Sequence, residues 1–245
     1  MTVRVDTSGA VRVLRLDRPD KKNALTQAMY AALTAGLDAA DADPAVRVAV
    51  LAGGVDFTAG NDLADFAAGR GEGPSEAFRF LEALRRFGKP LVAAVRGHAV
   101  GIGTTLLLHC DAVVAAQDAK LLMPFTKLGL VPEGGSSLLL ARRVGAARAR
   151  WWLMAAAPIP GQEAAEAGLV TRAVPDAEVD ATAMAMAGTL AALPPEALRE
   201  TKRLLRAPEE AALDTAMAAE SIAFRDRLNS AEAQAIFRAF LSRKG

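Results

Sequence analysis

Cysteine is nearly missing from this chain of 245 residues: Cys110 is the only one. A single thiol excludes a disulfide framework within the chain and suits a reducing compartment. Histidine is scarce too. His98 and His109 stand apart, with no second cluster of Cys, His or carboxylate, so no metal site is expected and each reads as a packed or hydrogen-bonded imidazole. An excess of one charge is also lacking. The formal net charge is +1, without the basic surplus normal for a protein that binds nucleic acid or a membrane surface. No apolar run is long enough to span a bilayer, since "LVAAVRGHAV" is interrupted by Arg96 and His98. The opening "MTVRVDTSGA" has no apolar core of the signal-peptide kind. These absences lead to the expectation of a soluble, cytoplasmic, globular protein.

What is present is apolar bulk, 52% of residues, enough for one large domain with a smaller appendage. Val11–Leu16 alternates like a half-buried strand. Thr26 is placed to cap a helix whose apolar positions Met29, Leu33 and Leu37 recur every four residues. "VRVAVLAG", "PLVAAVRG" and "DAVVAA" read as strands, with helices "EAFRFLEALRRFG" and "GTTLLLHC" between them. Gly88 is expected to end the first of these helices in a left-handed stop. Strands alternating with helices at this spacing indicate an α/β domain with right-handed crossovers.

From Ser136 onward helix dominates, with "LVTRAVP" as a last short strand. Ser136 and Ser137 look like helix caps, and "PPEALRETKRLLR" opens with proline in a first turn. Trp151 and Trp152 sit in a helical run and are expected to pack. The final helix sets Ile236, Phe237, Phe240 and Leu241 in helical register. The expected division is an α/β core over residues 1–185 and a helical region over 186–245 that packs on neighbouring subunits.

Three stretches could carry chemistry. In "FTAGNDLADF", Gly60 permits a sharp turn, and the N–H of Asn61 is expected to point outward at a helix starting at or near Asp62, where negative charge is favoured. An ordinary strand-to-helix turn capped by Asp62 accounts for the same letters, and Asp65 reads as a solvated helix charge. In "GHAVGIGTTLLL", Gly101 and Gly103 flank Ile102 where a strand hands over to a helix. A dinucleotide fingerprint is a weak match there, with Asp118 for the ribose, because Leu106 occupies a position needing a small residue. In "LVPEGGSS", Glu133 lies between Pro132 and Gly134–Gly135. It is either a solvated loop acid or a carboxylate held rigidly in an apolar pocket, where its pKa would rise and it could take and return a proton. Cys110 follows apolar residues and reads as a core thiol.

In order and spacing, "LDRPDKKNALT", "FTAGNDL", "VRGHAVGIGTTLLLHCD" and "KLGLVPEGGSSLLLARRVG" resemble the crotonase (enoyl-CoA hydratase/isomerase) superfamily over nearly the whole chain. The resemblance implies a core of repeated ββα units with C-terminal helices that assemble homotrimers, often paired into hexamers. It implies an acyl-CoA substrate, coenzyme A serving as the thioester carrier, and no tightly bound cofactor. The carbonyl oxygen of the thioester would sit between the N–H groups of Asn61 and Ile102, each such donor typically worth about 3–4 kcal/mol to an enolate-like state. Lys22, Ala24, Ala59, Gly60, Asp62, Leu63 and Gly101 would line the coenzyme A site. Where hydratases of the family carry two glutamates, this sequence has Thr105 and Phe125, neither able to move a proton. Glu133 instead resembles the base of the Δ3-Δ2-enoyl-CoA isomerase branch. Two other readings stay open: another enolate reaction of the superfamily, such as hydration or thioester hydrolysis, and acyl-CoA binding without turnover.

Overall fold

The apolar strand runs lie side by side in a six-stranded sheet. The computed structural model describes residues 3–62 and 75–242. Strands β3 (Val48–Ala52), β4 (Leu91–Val95) and β6 (Ala112–Ala116) are buried along their whole length, as parallel strands covered on both faces must be. They pair in parallel with one another, with β2 (Val11–Leu16) on one side and β9 (Arg172–Val174) on the other. Strand β1 (Val3–Ser8) closes the β2 edge as an antiparallel hairpin partner. Of its residues only Val3 is buried, so it offers little apolar pattern to read. A second sheet joins β5 (His98–Val100), β7 (Lys120–Leu122) and β8 (Ile159–Pro160).

Helix α1 (Gln27–Ala42) begins as expected, with the Thr26 hydroxyl accepting from Met29 N–H at 3.3 Å. It packs against α2 (Glu76–Arg86), where the rings of Tyr30 and Phe80 stand 5.8 Å apart. The left-handed stop at Gly88 does not form. Helix α2 ends at Phe87, a residue with negative φ, and Gly88 lies beyond it against Asp41 and Arg199 with its N–H donating to Asp41 at 3.3 Å. "GTTLLLHC" is one turn of α-helix, α3 (Ile102–Thr105), continued by a tighter 3-10 turn over Leu106–His109.

Beyond the acid loop come α4 (Ser136–Val144), α5 (Ala146–Ala155) and α6 (Gly161–Glu166). Helix α7 (Val179–Ala191) lies against β3, β4 and β6. The chain continues through α8 (Pro195–Arg206, proline in its first turn), α9 (Glu210–Leu228) and α10 (Ala231–Ser242). Lys202 ties α8 to the sheet: its ammonium donates to Lys89 O at 2.6 Å and to Asp111 Oδ2 at 2.7 Å. Helix α9 packs on α4 and so reaches the loop that precedes it. No helix among the described residues is long and apolar enough to cross a membrane.

Candidate active site

Three segments, 22–25, 58–62 and 98–102, run side by side and are joined by their backbones. Ala59 N–H donates to Lys22 O (2.9 Å), Leu25 N–H to Gly60 O (2.8 Å) and Asp62 N–H to Leu25 O (2.9 Å). On the opposite flank Thr58 N–H donates to His98 O (2.8 Å) and Val100 N–H to Thr58 O (3.0 Å). Thr58 is fully buried in the middle, its hydroxyl donating to Asn23 O at 2.7 Å and accepting from Gly60 N–H at 3.1 Å. Two glycines make the approach possible. A Cβ on Gly60, whose φ is +86°, would stand 2.7 Å from Val100 O, and one on Gly103 would stand 2.5 Å from the Thr58 methyl.

This arrangement brings Lys22, Ala24, Ala59, Gly60, Asn61, Asp62, Gly101 and Ile102 to one place. Most of their N–H groups are spent on the backbone, and Gly101 N–H donates to Leu122 O at 2.8 Å. The N–H groups of Asn61 and Ile102 meet no acceptor among the described residues. For Ile102 the cause is its place as the first residue of α3, where an N–H has no partner one turn back. Asn61 instead bridges Leu25, and its side-chain oxygen accepts from the buried Tyr30 hydroxyl at 2.6 Å. The helix expected to begin at or near Asp62 falls outside the described residues, as do Leu63 and Asp65. Asp62 itself accepts from Arg18 Nη1 at 2.7 Å, and the same guanidinium nitrogen reaches Ala24 O at 2.9 Å. Lys22 and Asn23 both adopt left-handed φ, 48° and 55°. Buried Asn23 holds that turn by accepting from Arg18 N–H and donating to Asp56 O, each at 2.7 Å.

Glu133 stands close by. Thr105, one turn along α3 from Ile102, donates its hydroxyl to Glu133 Oε1 at 2.5 Å. Glu133 stays partly accessible, yet the protein around it removes most of its hydration. That desolvation pushes its carboxyl up from 4.5 to about 7, against the opposing pull of the Thr105 hydrogen bond and with help from the negative charge of Glu220. A carboxyl that titrates near neutrality can both accept and return a proton. Phe125 is buried and adds no titratable group.

The loop around Glu133 is fixed from several sides. Gly134 and Gly135 both take left-handed φ, 68° and 75°, and a Cβ on Gly135 would stand 2.3 Å from Leu213 of α9. His109 Nε2 lies 2.8 Å from Gly134 O. Because a carbonyl only accepts, that nitrogen carries the proton, and burial holds the imidazole neutral by lowering its pKa to about 4. Ser136 and Ser137 do not cap α4. The cap position is Gly135, the Ser136 hydroxyl donates back to Glu133 O at 2.7 Å, and the capping acceptor is Glu220 of α9, which receives Gly135 N–H at 2.6 Å and Ser137 N–H at 2.8 Å. Tyr30 and Glu220 were not singled out from the sequence. For Glu220 a signal existed, an acid on the apolar stripe formed by Leu213 and Met217.

The remaining candidates are structural. His98 Nδ1 lies 2.6 Å from Asp56 Oδ1. Cys110 is buried, its thiol pushed up to about 12 by desolvation. Trp152 is buried while Trp151 is 65% exposed. Gly103 serves close contact with Thr58 rather than a dinucleotide turn. No group of His, Cys, Asp or Glu among the described residues is arranged to hold a metal ion.

Comparison with known proteins shows the family of the chain. Residues 6–245 match the family described as enoyl-CoA hydratase/isomerase. The chain is 34% identical to "Enoyl-CoA delta isomerase 2" of Rattus norvegicus, covering 98% of this chain and 63% of that protein. It is 36% identical to a "Probable enoyl-CoA hydratase" of Rhodobacter capsulatus, covering 99% and 96%. Among solved structures, Pseudomonas aeruginosa OdaA superposes with a TM-score of 0.94 at 46% identity, over 98% of each chain.

Proposed function

The chain belongs to the enoyl-CoA hydratase/isomerase (crotonase) family, and within it we propose that it isomerises a 3-enoyl-CoA to the 2-enoyl-CoA through Glu133. The thioester oxygen sits between the N–H groups of Asn61 and Ile102, which meet no acceptor among the described residues. Glu133 as carboxylate takes a proton from C2. The C–H electron pair moves into the conjugated dienolate, whose oxygen the two donors stabilise. Glu133 then returns that proton at C4, so the C2–H bond is replaced by a C4–H bond and no net proton is consumed. Lys22, Ala24, Ala59, Asp62, Leu63 and Gly101 are assigned to the coenzyme A side of the same site.

The observation that carries this reading is the contact between Thr105 and Glu133. By resemblance Thr105 stands where a hydratase would place its first glutamate, and here it is a hydroxyl bound to the acid. Phe125 stands at the second position. One carboxylate suffices for moving a double bond, while adding water across one calls for two. The reading extends to a homotrimer or dimer of trimers, supported by exposed Trp151, Met154, Leu204 and Leu205 on the C-terminal half.

The test is to follow double-bond migration in 3-hexenoyl-CoA and hydration of crotonyl-CoA separately, with wild type and Glu133→Gln. Isomerisation by the wild type should fall by about 10²–10⁴-fold in the variant, with thioester binding kept. Hydration that survives the substitution would sink the proposal and assign the work to another group.

A further inference from the structure

We propose that Glu220, carried by α9, is a positioning residue for Glu133: it grips the acid's loop through two backbone N–H groups and gives the acid a fixed negative neighbour. The inference rests on Glu133 being the base. Both oxygens of Glu220 are used, Oε2 by Gly135 N–H at 2.6 Å and Oε1 by Ser137 N–H at 2.8 Å. These are the donors on either side of Ser136, two and four residues after Glu133. A single carboxylate thus spans the start of α4 from a helix more than eighty residues further along the chain.

A cap alone would not call for this residue. Serine or asparagine caps helices well, and a buried carboxylate without a cation is costly. Glu220 is 7% exposed, and no Lys, Arg or His among the described residues pairs with it. Its charge therefore acts on what lies nearby, and Glu133 is the group whose proton affinity it raises. Among the described residues the other elements packed on the loop add no charge that shifts Glu133, and the guanidinium groups of Arg85, Arg143 and Arg206 act on His109 instead. Helix α3 presents the Thr105 hydroxyl, the following turn presents neutral His109, α2 presents Leu81, and α9 adds Leu213 and Met217.

Glu220→Gln tests the proposal, because it keeps size and one acceptor oxygen while removing the charge and one N–H contact. The kcat for 3-hexenoyl-CoA should fall by about ten- to a hundredfold, as misplacement of a reacting group does, with KM nearly unchanged. The acid limb of the pH–kcat profile should move to lower pH. A ¹³C titration of the Glu133 carboxyl, assigned by its loss in Glu133→Gln, should move the same way. A folded variant with the wild-type profile and titration overturns the proposal, and so does a slower enzyme in which neither pH reading moves. If the wild type does not isomerise but the titration shifts, positioning stands and the isomerase reading fails. Should Glu220→Gln not fold, hydrogen exchange of the wild type decides. Slow exchange at the Gly135 and Ser137 amides supports the grip, and fast exchange there overturns it.

Discussion

The loops that carry Asn61 and Ile102 are joined by backbone hydrogen bonds and seated by two glycines, whereas the loop that carries Glu133 is held by side chains from α3, the turn after it and α9. The difference matters for chemistry. Backbone donors are indifferent to most side-chain changes, so they serve any reaction that places negative charge on a thioester oxygen. The acid side is made of replaceable letters and decides which proton moves. A family can therefore keep one half and vary the other.

Gly60→Ala attacks the donor half and should have the largest effect. The new methyl would stand 2.7 Å from Val100 O at a φ of +86°, so either the backbone turns or the segments part. Displacing the Asn61 N–H should cost about 10²–10³-fold in kcat, and the left-handed strain about 1–3 kcal/mol of stability. Kinetics beside urea unfolding would show it. A variant with wild-type kcat would mean that Asn61 N–H does not serve the oxygen.

This half was also the more legible. Gly60, Asn61, Gly101 and Ile102 are local, and a strand ending in glycine implies unpaired N–H groups before any contact is known. The helices and parallel strands were readable for a similar reason, since β3, β4 and β6 are continuous apolar runs. Short strands β5, β7 and β8 were not, because they depend on partners far along the chain. Gly88 misled because Asp41 and Arg199 decide its surroundings. Glu133 could be named from its loop, but its partners Thr105, His109 and Glu220 are joined to it only by tertiary packing.

On the acid half, Glu133→Gln should stabilise the protein while slowing turnover by about 10²–10⁴-fold. Burial raises the folded-state carboxyl to about 7 from 4.5, so the folded state holds the proton more tightly than the unfolded chain does. Stability then falls as pH rises from about 4.5 to 7, and the cost is fully present above that. The amide should therefore gain about 1–3 kcal/mol at pH 8, partial exposure trimming the value, and almost nothing at pH 4. Equal gains at both pH values would refute the desolvation account of this acid.

Thr105→Val acts on the same carboxyl in the opposite sense to Glu220→Gln. The Thr105 hydrogen bond favours the charged form, so its loss should move the acid limb of the pH–kcat profile to higher pH. Activity at pH 7 should drop several-fold and recover as pH rises. Two variants shifting one limb in opposite directions would separate the hydroxyl's contribution from the charge's. A shift in the same direction would mean the limb belongs to a different group.

The smallest effect is expected from Tyr30→Phe, which touches the donor half through a side chain. The Tyr30 hydroxyl reaches Asn61 Oδ1 at 2.6 Å, but Asn61 also bridges Leu25, and its neighbours Gly60 and Asp62 are bonded there through their own backbones. If the backbone sets the donor, losing the phenol should cost about 1 kcal/mol of stability. The kcat should change by far less than the 10²–10³-fold that follows loss of a donor. A collapse of kcat in Tyr30→Phe comparable to that of Gly60→Ala would erase the distinction between the two halves, because the donor would then depend on a side chain as much as the acid does.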